Sequence, residues 1–344
     1  MPLDLADAGF LLLSFVIPLL LVILLMPKFA KYLVTSGRVS NDVHKQPPTK
    51  VPEPVGPILF LGAFAGEIFA YFAFGSFVPL AVIGSATVAF AVGLADDLFV
   101  LGGKMKPLLL LLAAAPLVVG ELLQSTLYQS HLIFPLLGYI GEHYSIYALL
   151  VIVAFPVVTN AFNMMDSFNG EISGFTLIAT SALLFGVVLH AISDSSFSLA
   201  RVAAVLPLLA ISAGFFVFNR YPSKAFDGDS GSLMFGAMFA SLAITGGVEI
   251  AAIIAIIPAI LNSFYTLSSA GGFVERRKMA ARPTRLGEDG MMHASLEPSS
   301  PNTLVRLILL DGPLGERDLV KTIYYLTAIA CLLSGMISVL TWVY

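Results

Sequence analysis

From Ala8 to Met26 the chain runs for 19 residues without one charged side chain. A helix of about 20 apolar residues spans the hydrocarbon core of a bilayer, where backbone polar groups must be satisfied within the helix itself. The same pattern returns along the whole chain. The candidate helices are Ala8–Met26, Val55–Phe74, Val78–Ala95, Pro107–Leu123, Ile146–Val158, Ile172–Ile192, Val202–Phe218, Leu233–Gly247, Ile250–Leu267 and Thr322–Val343. Composition agrees, with 58% of residues hydrophobic and 12% charged, against about a quarter charged in a soluble domain. The expected fold is an all-α polytopic membrane protein of ten transmembrane helices. Residues 1–344 form one integral membrane domain, and residues 268–318 form the loop between spans nine and ten. The first run is too long for the apolar region of a signal peptide and is read as a retained span.

Charge sets the orientation. With the N-terminus outside, every Lys and Arg except Arg201 falls in a cytoplasmic connection, as the positive-inside rule requires of a correct span count. One missed helix would scramble this partition, so the sequence predicts ten spans with both termini outside. The lone Cys331 lies in the last apolar run and fixes no redox compartment.

Four polar stretches fall on the same cytoplasmic face. In "GLADDLFVLGGKMK", Asp96 and Asp97 close span three and Lys106 opens span four. The plain reading is two acids solvating a helix end and a lysine snorkelling from the next one. The chemical reading is a carboxylate pair beside a cation, suited to a phosphate, its proton or a metal. In "NAFNMMDSFNG", Asn160, Asn163 and Asp166 recur at intervals of three, which lets them share one helix face. Their oxygens suit a hard cation such as Mg2+, although Asn, Asp, Ser and Gly also favour caps and turns. "NRYPSKAFDGDSGSLMFG" places Asp227 and Asp229 just before span eight. There a carboxylate can cap the helix, or hold a metal while neighbouring N–H groups face a phosphate. "FVERRKMAARPTRL" carries Arg276, Arg277, Lys278, Arg282 and Arg285, as an anchor for anionic headgroups or a diphosphate clamp. Together these stretches hold oxygen donors for Mg2+ and cations for phosphates beside lipid, the equipment of phosphoryl transfer.

The first three motifs, taken in order, resemble the polyprenyl-phosphate N-acetylhexosamine-1-phosphate transferases, and the resemblance covers nearly the whole chain. The early loop "DVHKQPPTKVPEPVGP" and the late stretch "LLDGPLGERDLVKTIYYL" are closer to the eukaryotic and archaeal branch. That branch comprises the UDP-N-acetylglucosamine–dolichyl-phosphate N-acetylglucosamine-1-phosphotransferases. The resemblance implies attack of a lipid phosphate on the β-phosphorus of a UDP-sugar, release of UMP and formation of the first lipid-linked sugar of a glycosylation pathway. It implies Mg2+, with Mn2+ able to stand in, held by Asn163 and Asp229. Asp96, Asp97 and Lys106 would serve the lipid phosphate, and Asn169 the uridine. Asn160, Asp166, Asp227, Arg276, Arg277 and Arg282 would complete the substrate site. Val100 stands where the eukaryotic branch has asparagine, and Asp166 follows the bacterial pattern.

The expected partners are UDP-N-acetylglucosamine, a dolichyl or polyprenyl phosphate and the bilayer, with no nucleic acid; a homodimer is left open. The expected location is the plasma membrane of an archaeon, or the endoplasmic reticulum of a eukaryote. One alternative is bacterial-type transfer of another UDP-HexNAc phosphate to undecaprenyl phosphate. A secondary transporter is a more distant rival, since transporters bind substrate near the bilayer midplane while the acids here sit at span ends. Glu67 and His190 are the mid-span exceptions, expected to be interhelical hydrogen-bond partners. A CDP-alcohol phosphotransferase would need a D-x2-D-G…D-x3-D signature that the chain lacks.

Overall fold

The computed structural model describes residues 4–123, 127–128, 132–134, 138–140, 144–194, 198–272 and 281–342. Helix α1 (Leu5–Thr35) leads into a hairpin of β1 (Val39–Asp42) and β2 (Thr49–Pro52), paired antiparallel with Asp42 opposite Thr49. Helices α2 (Gly56–Phe74) and α3 (Val78–Phe99) follow, then a span made of α4 (Met105–Leu110), a 3-10 turn and α5 (Ala115–Leu123). A short hairpin, β3 (Leu132–Phe134) with β4 (Gly138–Ile140), precedes α6 (Tyr144–Met164), α7 (Glu171–Ser193), α8 (Leu199–Asn219) and α9 (Gly228–Gly246). Next come α10 (Glu249–Ala255) and α11 (Ile257–Ala270), which meet at 66°. The hairpin of β5 (Thr284–Leu286) and β6 (Met292–Ala294), α12 (Leu304–Leu309) and α13 (Glu316–Trp342) complete the chain.

Eight of these helices are long and apolar enough to cross a membrane, or nine if the bent α10–α11 pair is one span. The protein is therefore a polytopic membrane protein, and the count by this measure is short of the ten read from the sequence. The difference lies in α9. It matches α2 in length, at 19 residues, but opens Gly-Asp-Ser-Gly-Ser, and every residue from Ser230 to Gly246 is buried. A helix surrounded by other helices meets no lipid and needs close approach more than apolar bulk. Among the described residues six helices, α2, α3, α6, α7, α8 and α10, contact it.

Small residues set how closely these helices meet. A Cβ added at Gly93 of α3 would lie 2.4 Å from the Asp229 carbonyl oxygen and 2.6 Å from the Ser230 Cα. One added at Gly56 would lie 2.2 Å from the Ser230 Oγ. The start of α9 is also stitched to the first hairpin. Phe226 donates its N–H to the Pro52 carbonyl at 3.0 Å, and Val55 and Gly56 donate to Phe226 and Asp227 at 2.9 and 3.1 Å. Gly228 holds φ at +70°, which admits glycine most readily, and brings the backbone against the Asp97 carboxylate. The first turn of α9 is thereby fixed from two sides.

Two mid-span residues behave differently from one another. His190 of α7 shares a 2.8 Å hydrogen bond between its Nδ1 and the Gly246 carbonyl of α9, as an interhelical partner should. Glu67 of α2 is fully buried, and among the described residues neither carboxyl oxygen has a hydrogen-bond partner. The expectation of an interhelical bond at Glu67 is therefore not met.

Candidate active site

Asp96 and Asp97 lie in the last turn of α3, and their adjacency splits their directions, because successive helix positions point about 100° apart. Asp97 turns to α9 and accepts the backbone N–H groups of Asp229 at 2.8 Å and Ser230 at 3.0 Å. It thus caps a neighbouring helix, satisfying two donors that α9 leaves without intrahelical partners. Asp96 turns the other way. Its Oδ1 accepts the N–H of Leu101 at 2.6 Å, and its Oδ2 pairs with the Lys106 ammonium at 2.8 Å. The first of these contacts bends the chain sharply after α3. Val100 is left at φ 57°, a left-handed conformation that is costly for a β-branched residue.

Lys106, at the head of α4, also pairs with the Asp229 carboxylate. Asn163 arrives from the last turn of α6 and donates its Nδ2 to Asp229 Oδ1 at 2.8 Å and to Ser232 Oγ at 2.9 Å. Residues from four helices, far apart in sequence, therefore meet on Asp229. Asp96, Asp97, Lys106, Asn163 and Asp229 are all half-buried, so the cluster forms a recess open at its rim. Ser232 was not anticipated; its place one turn beyond Asp229 in "GDSGS" was the available signal.

The other predicted residues are not gathered on Asp229. Asn160 is buried and donates back to the Pro156 carbonyl of its own helix at 2.7 Å. Asp166 does not share a helix face with Asn163, because α6 ends at Met164 and Asp166 lies in the turn that follows. Asp227, just ahead of α9, is fully buried, and among the described residues neither of its carboxylate oxygens has a hydrogen-bond partner. Burial, and after it the charge of Asp166, raise its pKa well above the usual carboxylate range. Arg282 is exposed beside the β5–β6 hairpin, and Arg276 and Arg277 lie outside the described residues.

Asn169 takes its polar contacts in a second network. Its Nδ2 donates to Asp42 Oδ2 at 3.0 Å and Glu316 Oε1 at 2.5 Å. Its Oδ1 accepts from the Lys45 ammonium at 3.1 Å and the Ser223 N–H at 2.6 Å. Lys45 also pairs with Asp42 and lies 5.1 Å from the centroid of the Tyr221 ring. Burial raises the Asp42 pKa, but Lys45 and Asn169 outweigh it and hold the group below its ordinary value. This network ties the first hairpin, the α6–α7 turn and the start of α13 together.

The site can be tested for a divalent ion on its donors. Asp96, Asp97 and Asp229 bring three carboxylates to a recess with one ammonium, and Lys106 already lies between Asp96 and Asp229 while Asp97 holds the Asp229 and Ser230 N–H groups. Oxygen donors in excess, half-open to solvent, fit a hard cation such as Mg2+. An anionic diphosphate entering this recess would also require that added positive charge.

An ordered recess of acids, amide and lysine at the ends of membrane helices defines a membrane-embedded group-transfer protein. The segment carrying the whole cluster, residues 79–247, matches the family described as Glycosyl transferase family 4. Among similar proteins is a UDP-N-acetylglucosamine–dolichyl-phosphate N-acetylglucosaminephosphotransferase of Dictyostelium discoideum, 26% identical over 87% of this chain and 81% of its own length. A Saccharolobus solfataricus protein, provisionally given the same description, is 24% identical over 88% of this chain and 89% of its own. A phospho-N-acetylmuramoyl-pentapeptide-transferase of Halalkalibacterium halodurans is 29% identical over 71% of this chain and 76% of its own.

Proposed function

We propose that this chain transfers N-acetylglucosamine-1-phosphate from UDP-N-acetylglucosamine to a dolichyl-type polyprenyl phosphate, releasing UMP. One observation carries the reading: Asp229 receives Lys106 and the Asn163 amide, while its own backbone is held by Asp97. In the reaction an oxygen of the lipid phosphate forms a bond to the β-phosphorus of the UDP-sugar, the bond to the UMP oxygen breaks, and UMP leaves with the electron pair. Asp229 and the Asn163 side-chain oxygen would hold Mg2+. The ion, when bound, supplies positive charge to the diphosphate as it reacts. Lys106 neutralises phosphate charge, and Asp96 holds Lys106 and takes or positions the lipid phosphate's proton. Asp97 fixes the turn that carries Asp229. Arg276, Arg277 and Arg282 would reach the diphosphate and sugar.

The same reading counts α9 as the tenth crossing, so that the recess faces the cytoplasm with both termini outside. It places the protein in an archaeal plasma membrane, or in the endoplasmic reticulum of a eukaryote. Purified protein given UDP-N-acetylglucosamine, Mg2+ and dolichyl phosphate should release UMP, with the lipid product identified by mass spectrometry. No UMP from a panel of UDP-sugars and polyprenyl phosphates would refute the assignment. Turnover confined to UDP-N-acetylmuramoyl-pentapeptide and undecaprenyl phosphate would move the chain to the bacterial reaction.

A further inference from the structure

The network around Asn169 carries more acid than it neutralises. Asp42 and Glu316 are 2% and 7% exposed, and Lys45 is the one cation bonded to them among the described residues. Lys45 pairs with Asp42, and Asn169 occupies Glu316 Oε1, but Glu316 Oε2 is buried without a hydrogen-bond partner among the described residues. Beside them His44 lies flat against Phe168, with ring centroids 4.3 Å apart at 19°, so packing fixes its ring plane. One ring nitrogen of His44 and one oxygen each from Asp42 and Glu316 fall within 4.8 Å of one another.

We propose that Asp42, His44 and Glu316 form a metal site for a borderline divalent ion, Zn2+ being the probe, separate from the Asp229 recess. A tetrahedral ion with bonds of about 2.0–2.2 Å needs its donors about 3.5 Å apart. Side-chain rotation of about an ångström closes this set around one ion. The imidazole sets the class, because Mg2+ and Ca2+ favour all-oxygen shells while Zn2+ takes nitrogen and carboxylate together. Lys45 does not obstruct the ion. It has a second acceptor in Asn169 Oδ1 at 3.1 Å and an aromatic face in Tyr221. The three ligands come from the end of β1, the turn that joins β1 to β2 and the head of α13, so the ion would clamp segments more than 270 positions apart.

The test uses the full chain in detergent, stripped with EDTA, incubated with ZnCl2 in excess MgCl2, desalted and analysed for metal. The expected result is one zinc retained per chain and a raised thermal midpoint on refilling, with Co2+ giving visible bands of a low-symmetry site. His44→Ala and Glu316→Gln should each weaken zinc retention at least tenfold, while Asp229→Asn leaves it unchanged. Glu316→Gln keeps an acceptor for Asn169, so its loss of zinc would not report a collapsed network. No zinc above the protein-free blank, or zinc retained in both ligand variants, would overturn the proposal. Neither readout depends on UMP release, so the proposed reaction can fail while this site stands, and the reverse.

Discussion

Gly93→Ala is the smallest change that separates the Asp229 recess from mere helix packing. The added Cβ would meet the Asp229 carbonyl oxygen at 2.4 Å, its carbon at 2.5 Å and the Ser230 Cα at 2.6 Å, all backbone. Ordinary contact begins at 3.4 Å, so α3 and the first turn of α9 must part by about an ångström. Overpacking of this kind costs about 1–3 kcal/mol of stability. The chemical cost is larger in proportion, because misplacing a reacting constellation by about 1 Å lowers rate on the order of 100-fold. Gly84→Ala provides the control on the same helix, since its Cβ would meet Pro116 at 2.9 Å, on α5 and away from Asp229. UMP release per folded molecule and the thermal midpoint are measured for both variants. Gly93→Ala should lose activity about 100-fold while still folding, whereas Gly84→Ala loses stability alone. If Gly93→Ala keeps activity within twofold of the parent, Asp229 is not held in place by the α3–α9 contact, and the reasoning is wrong.

Asp229→Ala removes the residue on which Lys106 and Asn163 converge; turnover should be undetectable while the chain still elutes as folded protein in detergent. Near-normal UMP release would take Asp229 out of the reaction. Lys106→Met leaves Asp96 and Asp229 facing each other without their shared cation. Unpaired half-buried carboxylates should lower stability by about 1–3 kcal/mol, with Lys106→Arg restoring most of it; equal denaturation midpoints for Met and Arg would contradict the pairing. Val100→Gly relieves a left-handed β-branched residue, worth about 1–2 kcal/mol, against a glycine entropy cost of about 0.5–1 kcal/mol. A net gain of up to about 1.5 kcal/mol should appear in thermal unfolding, and a destabilised variant would show that the observed φ of 57° is not a strained one.

What was legible in the sequence is what chemistry demands locally. Asp96, Asp97, Lys106, Asn163 and Asp229 stood out through their joint placement at span ends and the motif series they belong to, and the structure brings these five together. Three things were not legible. Asp166 was placed on the helix face of Asn163 by spacing alone, but α6 stops at Met164. The count of spans took α9 as an ordinary crossing, whereas its Gly and Ser residues record a helix that meets protein on all sides. Asn169 gave no sign of its partners, because Asp42 and Glu316 stand 127 and 147 positions away. Side-chain pairing across such distances follows from tertiary packing and leaves no periodic trace.

The pair Asp96-Asp97 shows why sequence motifs understate the work of a site. Read as letters, two adjacent acids invite one joint role. On a helix they diverge, and here the divergence assigns one to each neighbour: Asp97 to the backbone of α9, Asp96 to Lys106 and the turn at Leu101. A capping carboxylate needs a small residue at the close approach, which Gly228 and Gly93 supply, and the turn beyond Asp96 leaves Val100 in the left-handed region. The glycines, the strained valine and the two acids are therefore one device. It lets a helix terminus buried among other helices present Asp229 to a half-open recess.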